Sequence, residues 1–139
     1  TDVYVRNFEI WQLGLLLLVV NDFQDGLVRV GSGTSRGLGA VKGAVDELIV
    51  GYPYPLVTDK PAEAVWGMGK FHSKEEREAY GTWPNDVLTL DVAPEEARRG
   101  IRLQATYRGE ALEALSQEAL DVAVERIQNW VPVGQTEAR

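Results

Sequence analysis

The sequence predicts an α+β fold, because helical spacing and strand alternation occur together in one chain of domain size. Residues 11–23 are apolar on nearly every side of a helix, as in a helix buried on more than one face. Residues 101–107 alternate apolar and polar side chains, which predicts a half-buried strand. Residues 110–130 predict a helix with one buried stripe, formed by Leu112, Leu115, Ala119, Ala123, Ile127 and Trp130.

The other elements of the amino-terminal region are shorter. Residues 3–8 have the composition of a strand, and so do residues 27–30, which follow the turn signal Asp25-Gly26. Residues 40–52 are ambiguous. Their apolar spacing slightly favours a helix, whereas their β-branched residues favour a strand.

The prolines of Tyr52-Pro53-Tyr54-Pro55 predict an irregular segment and a boundary between two regions. The predicted organisation is therefore residues 1–52, an α/β carboxy-terminal region of residues 53–134, and a flexible tail of residues 135–139.

Within the second region, Ser73-Lys74-Glu75-Glu76 has the form of a capping box and predicts the start of a short helix. Residues 87–92 predict a strand, and residues 94–100 a turn or a short helical connection.

Composition limits the functional classes. The chain has 14 basic and 21 acidic residues, so nucleic-acid binding would need a local basic strip or partner subunits. Cysteine is absent, which excludes thiolate metal sites and fits a reducing, cytoplasmic compartment. The apolar run of residues 10–20 is shorter than the ~20 residues of a membrane span, so a core helix is expected and no membrane association.

The most informative motif is the glycine-rich segment of residues 31–39. Glycines let backbone N–H groups approach a phosphate, hydroxyls add donors, and a guanidinium adds a bidentate charge. The segment therefore predicts an anion-binding loop, with a lysine just beyond it. The candidate binding residues are Gly31, Ser32, Gly33, Thr34, Ser35, Arg36, Gly37 and Lys42.

Two other interpretations of this segment remain open. It is a tight connection that binds nothing, or it resembles the dinucleotide loop of short-chain dehydrogenases, which would make the chain a nucleotide-dependent oxidoreductase. In that family the loop follows the first strand, whereas here a helix and a further strand precede it. Neither Tyr54 nor Tyr80 has a lysine four residues on, so the proton-transfer pair of that family is missing.

A second basic concentration consists of Arg98, Arg99, Arg102 and Arg108. It predicts either contact with RNA or a neighbouring subunit, or simply a solvated turn.

A composite pattern carries a broader resemblance. It runs from Asn7 to Leu16, continues through the turn ending at Gly26 and through Val28-Arg29-Val30-Gly31, and ends at Ser35-Arg36-Gly37-Leu38-Gly39. The pattern resembles the RAMP superfamily of CRISPR-associated proteins, in particular the backbone subunits of type III effector complexes. The close part of the match covers residues 3–45.

This resemblance implies that residues 1–52 form the second half of an RRM-like (ferredoxin-like) domain and that residues 40–50 are extended. It implies an antiviral ribonucleoprotein, in which the glycine-rich loop contacts the guide RNA (crRNA) backbone beside other effector-complex subunits. The first half of the domain would normally precede residue 1, so the chain would be a fragment, a split subunit completed by another chain, or a divergent member. The family's catalytic aspartate belongs to that half, so no catalytic residue, metal or cofactor is expected here.

Overall fold

The computed structural model describes residues 1–31 and 39–130 and contains helices and antiparallel strands, which confirms the α+β class. The helices are α1 (Ile10–Gln24), α2 (Lys74–Tyr80) and α3 (Gly109–Gln128). The strands are β1 (Leu48–Pro53), β2 (Ala64–Trp66), β3 (Val87–Thr89), β4 (Glu95–Arg99) and β5 (Arg102–Tyr107). Short 3₁₀ turns cover Tyr54–Leu56 and Met68–Lys70.

The strands form two antiparallel sheets. The larger sheet has the order β1-β5-β4, so the central strand β5 places Ala105 between Val50 and Glu96. The smaller sheet pairs β2 with β3. A two-residue turn, Gly100-Ile101, joins β4 to β5, and Gly100 has a φ of +60°, a conformation that glycine adopts without strain.

One hydrophobic core lies between the inner face of the larger sheet, the smaller sheet, and helices α1 and α3. The two helices approach closely at Gly14, where a Cβ atom would overlap the carbonyl oxygen of Ala119. The core includes Ile10 and Leu115, and β1 pairs with β5, so residues on both sides of position 52 share one sheet and one core.

Several predicted elements are confirmed. The helix predicted over residues 11–23 is α1, the alternating strand is β5, and the carboxy-terminal amphipathic helix is α3. Helix α1 is nevertheless buried on one face instead of several, because Leu18 and Val19 are exposed. The predicted buried stripe of α3 is wrong at its end, where Ile127 and Trp130 are exposed. The capping box is present at Ser73, whose hydroxyl accepts the N–H of Glu76 at 3.2 Å.

Other predicted elements are wrong. Residues 3–8 form no strand, and Val3, Tyr4 and Val5 are exposed without a pairing partner strand. Residues 27–30 contribute one isolated bridge instead of a strand. Residues 41–47 are irregular, so neither the helical pattern nor the extended strand implied for residues 40–50 is found before β1 begins at Leu48.

Two further predictions fail because of edge-strand chemistry. Tyr52 and Pro53 belong to β1 and not to an irregular segment. Proline is tolerated there because β1 is an edge strand. Residues 95–99 form β4 instead of a turn. Every residue of β4 is exposed, so its sequence carries no apolar alternation that could have revealed it.

No helix in the described ranges is long and apolar enough to cross a membrane.

Candidate nucleic-acid interface

Backbone contacts join the two ends of the glycine-rich segment, and we call residues 29–31 and 39–40 its base. The N–H of Val30 donates to the carbonyl oxygen of Gly39 at 2.9 Å, and Arg29 and Ala40 form an antiparallel bridge. Gly39 has a φ of +84°, and a Cβ atom there would overlap the carbonyl oxygen of Val30. Glycine is therefore required at position 39, and the two ends of the segment meet.

The base of the segment lies at the surface. Gly31 and Lys42 are exposed, and Val30 is 53% exposed although it is apolar. Both predicted binding residues in the described ranges thus stand in solvent beside the closure. The other predicted residues lie outside the described ranges: Ser32, Gly33, Thr34, Ser35, Arg36 and Gly37.

The second basic cluster is divided by the structure. Arg98, Arg99 and Arg102 lie beside the β4–β5 turn, where Arg99 and Arg102 pair directly across the two strands. Arg108 follows the opposite end of β5 and forms ion pairs with Glu47 and, at 3.3 Å, with Glu95. We call the three turn arginines the turn cluster; Arg98 occupies an inward position of β4, whereas Arg99 and Arg102 lie on the outward face.

Arg98 differs from the other two arginines of the turn cluster. Its guanidinium carbon lies 3.9 Å from the ring centroid of Tyr54, and its Nε donates to the carbonyl oxygen of Gly100 at 3.1 Å. Stacking and this hydrogen bond fix the side chain along the edge of the sheet.

Lys60 is a buried cation with a structural role. Its side chain is fully buried, and Nζ donates to the carbonyl oxygens of Pro61 and Ala64, both at 2.8 Å, and to Glu96 at 2.9 Å. All three ammonium protons are satisfied, so this lysine ties the segment before β2 to the edge strand β4. It offers no free charge to a ligand.

Two buried carboxylates anchor the start of α1. Asp86 accepts the N–H of Ile10 at 2.9 Å and the N–H of Gly69 at 3.0 Å. Glu9 accepts the N–H of Trp83 at 2.7 Å and the indole N–H of Trp11 at 2.9 Å. These carboxylates bind the first turn of α1 to two loops that follow it much later in the chain.

Burial raises the pKa of Asp86 above its ordinary value, and the neighbouring charge of Glu9 acts in the same direction. The two N–H donors to Asp86 and the charge of Arg126 lower that pKa and only partly offset the effect. Because its oxygens already accept backbone N–H groups, Asp86 serves as a structural anchor.

An open groove of about 580 Å³ runs between α1 and α3. Polar and apolar side chains line it together, among them Leu17, Asp46 and Glu113. Within residues 1–31 and 39–130, no cluster of three or more histidine, aspartate or glutamate side chains is arranged to hold a metal ion.

Comparison with protein-family models, with curated proteins and with solved structures finds no match to this chain. Exposed cationic side chains lie at the closed base of the glycine-rich segment, where Lys42 is in solvent, and in the turn cluster.

Proposed function

We propose that the chain is a non-catalytic, RNA-binding subunit of a type III-like CRISPR ribonucleoprotein, which contacts the guide RNA backbone through the glycine-rich segment. The observation that carries the proposal is the closed, exposed base of that segment, with Val30 bonded to Gly39 and Lys42 in solvent beside it. Residues exposed beside this closure are accessible to a polymer, which buried residues are not.

The chemistry of the segment suits a phosphate backbone. Glycine has no Cβ atom to shield a backbone N–H from an anion, and Thr34 and Ser35 would add hydroxyl donors. Arg36 supplies a bidentate charge and Lys42 a second cation. None of these groups reads base edges, so the contact would be independent of RNA sequence.

The net charge of −7 fits such a subunit when it acts within a larger assembly. A narrow basic track is enough to hold the RNA, and neighbouring subunits add their own contacts. In this proposal residues 1–52 would correspond to the second half of an RRM-like domain, and another subunit would complete the domain.

The alternative oxidoreductase function is less well supported by the geometry. A dinucleotide fold needs a parallel sheet with a strand before the loop and a helix directly after it. In the described part of the chain both sheets are antiparallel, and residues 39–47 contain no helix.

The test is recovery of RNA with the chain and its natural partners. A tagged form is purified from its own cells, and the bound RNA is extracted, quantified and sequenced. We expect guide RNA with the unmodified chain and at least about tenfold less with Arg36→Ala, because a charged hydrogen bond contributes about 1.5–3 kcal/mol. Lys74→Gln on α2 is the control, because it also removes one positive charge and should retain the RNA.

Two results would contradict the proposal: no RNA with the unmodified chain, or equal RNA with Arg36→Ala. Titration with NADH and NADPH tests the alternative. Saturable binding at or below millimolar ligand, lost in Arg36→Ala, would favour the oxidoreductase.

A further inference from the structure

The turn cluster concentrates positive charge that the fold does not neutralise. Arg99 and Arg102 lie directly opposite each other on neighbouring strands, and like charges in this arrangement destabilise a sheet. Both side chains belong to the outward face, because the inward positions of the same strands are occupied by Arg98 and Leu103.

The acidic residues of β4 form ion pairs with side chains outside the turn cluster. Glu95 pairs with Arg108, and Glu96 pairs with Lys60. Among the described residues, no carboxylate lies within ion-pair distance of Arg98, Arg99 or Arg102. In a chain with an excess of seven acidic residues, a cluster of three arginines without an acidic partner is a specific feature.

The cluster is also held in a defined geometry. The N–H of Tyr54 donates to the carbonyl oxygen of Ile101 at 2.7 Å, which ties the turn to the end of β1. The ring of Tyr54 supports the guanidinium of Arg98 from one side. These contacts fix Arg98, whereas Arg99 and Arg102 are positioned by the backbone pairing of β4 with β5. Groups positioned in advance lose less conformational entropy when they bind an anion than the same groups on a free loop.

We propose that the turn cluster is a second phosphate-binding site, which takes the phosphodiester backbone of RNA independently of the glycine-rich segment. Guanidinium groups pair with phosphate oxygens bidentately, and cross-strand neighbours about 5 Å apart at Cβ are close enough to share one phosphate or hold two successive ones. The choice of RNA over other polyanions rests on the proposed function.

The surroundings of the cluster favour backbone contact over base recognition. Besides Arg99 and Arg102, the outward face of the larger sheet carries Ile49, Gly51, Pro53, Glu95, Ala97, Gln104 and Thr106. This face has no aromatic ring on which a base could stack, so RNA crossing it would be held through phosphates alone.

The experiment measures binding of a fluorescein-labelled 20-nucleotide oligouridine RNA to the full chain by anisotropy between 50 and 200 mM KCl. The test variant is Arg99→Gln with Arg102→Gln. The control is Arg6→Gln with Lys74→Gln, which removes the same charge from two other exposed sites. Arg36→Ala is measured in parallel.

Each phosphate contact contributes about 0.7 to the slope of log affinity against log salt for a single strand. Loss of two contacts should therefore lower the slope by about 1.4, so the fourfold salt increase weakens the unmodified chain about sevenfold more than the test variant. The control variant should keep the slope of the unmodified chain. The thermal midpoint of the test variant at low salt should equal or exceed that of the unmodified chain, because a like-charge pair has been removed.

The possible outcomes separate the two proposals. If Arg36→Ala weakens binding and the test variant matches its control, the second site is refuted and the proposed function stands. If the slope of log affinity against log salt falls in the test variant and Arg36→Ala binds as the unmodified chain does, the second site stands and the role of the glycine-rich segment is refuted. Absence of binding at 50 mM KCl refutes the second site, as does displacement of the RNA by an equal charge concentration of polyglutamate, which would indicate an acidic protein surface as the ligand.

Discussion

Two buried tyrosines on neighbouring strands should respond in opposite ways to the same substitution. The hydroxyl of Tyr52 accepts the N–H of Trp66 at 2.9 Å and donates to its carbonyl oxygen at 3.2 Å. The hydroxyl of Tyr107, which is fully buried, has no hydrogen-bond partner within the described part of the chain. Replacement by phenylalanine removes one hydroxyl in each case and leaves the ring in place.

Tyr52→Phe should lower the free energy of unfolding by about 2–3 kcal/mol, because two hydrogen bonds are lost and two buried groups of Trp66 are left unpaired. Tyr107→Phe should leave that free energy unchanged or raise it by about 1 kcal/mol, because it removes a buried polar atom that nothing compensates. Urea unfolding at 25 °C followed by circular dichroism measures both. With a slope near 1.5 kcal/mol/M, Tyr52→Phe should move the midpoint down by about 1.5 M.

The pH dependence gives an independent check on the same pair. Burial raises the pKa of Tyr52 to about 12, and burial also raises the pKa of Tyr107. Between pH 10 and pH 12 the folded state therefore holds protons that the unfolded state has lost, so stability is complete below pH 10 and falls as the pH rises. Each phenylalanine variant should lose stability less steeply there than the unmodified chain. Equal destabilisation by the two substitutions at pH 7 would refute the reasoning, since it would mean that the hydroxyl of Tyr107 is as well paired as that of Tyr52.

Three further substitutions test the packing and the buried charges by urea unfolding. Gly14→Ala should destabilise by about 2–3 kcal/mol, because its Cβ overlaps the Ala119 carbonyl oxygen where α1 meets α3, and an unchanged midpoint would contradict this close approach. Asp86→Asn should cost about 2 kcal/mol at pH 7, because an amide cannot accept from two N–H donors with both of its atoms. Because the pKa of Asp86 is raised in the folded state, the unmodified chain should lose stability as the pH rises above about 3.8. Asp86→Asn should lack this pH-dependent loss. Identical stability profiles in the two proteins would refute the raised pKa of Asp86. Lys60→Met should cost about 3 kcal/mol by leaving Glu96 without its partner, and simultaneous Glu96→Gln should recover part of the loss.

The elements that the sequence predicts correctly are those with a strong local signal. Helix α3 and strand β5 are recognisable because their buried residues recur at the spacing of the element. Helix α1 is recognisable from its continuous apolar run, which does not reveal the face that is buried. Strand β4 gives no such signal, because an edge strand with five exposed residues has no apolar face of its own. The start of β1 is hidden for another reason. Its apolar residues continue a helical spacing from the preceding irregular segment, and pairing with β5 overrides that pattern.

The buried charged residues illustrate what local patterns cannot predict. The carboxylate of Asp86 accepts the N–H of Ile10, although the two residues are 76 positions apart in the sequence. No local periodicity relates residues at this separation. The sequence alone would place Lys60 at the surface, because lysine is seldom fully buried without a partner. Its partner Glu96 belongs to the strand that the sequence does not reveal. The glycine-rich segment and the turn arginines were both recognised from residue type, and their roles in RNA binding stay predictions.

The edge strand β4 links the stability of the sheet to the proposed second site. Its inward positions carry Glu96 and Arg98, which are held by Lys60 and by the ring of Tyr54. Charged residues on an exposed edge oppose pairing with another chain, so this edge is protected against strand addition. The same inward contacts leave Arg99 and its cross-strand neighbour on the outer face without acidic partners. The charges of β4 therefore oppose the addition of a further strand, and in the proposed second site the two outward guanidinium groups would bind an external anion.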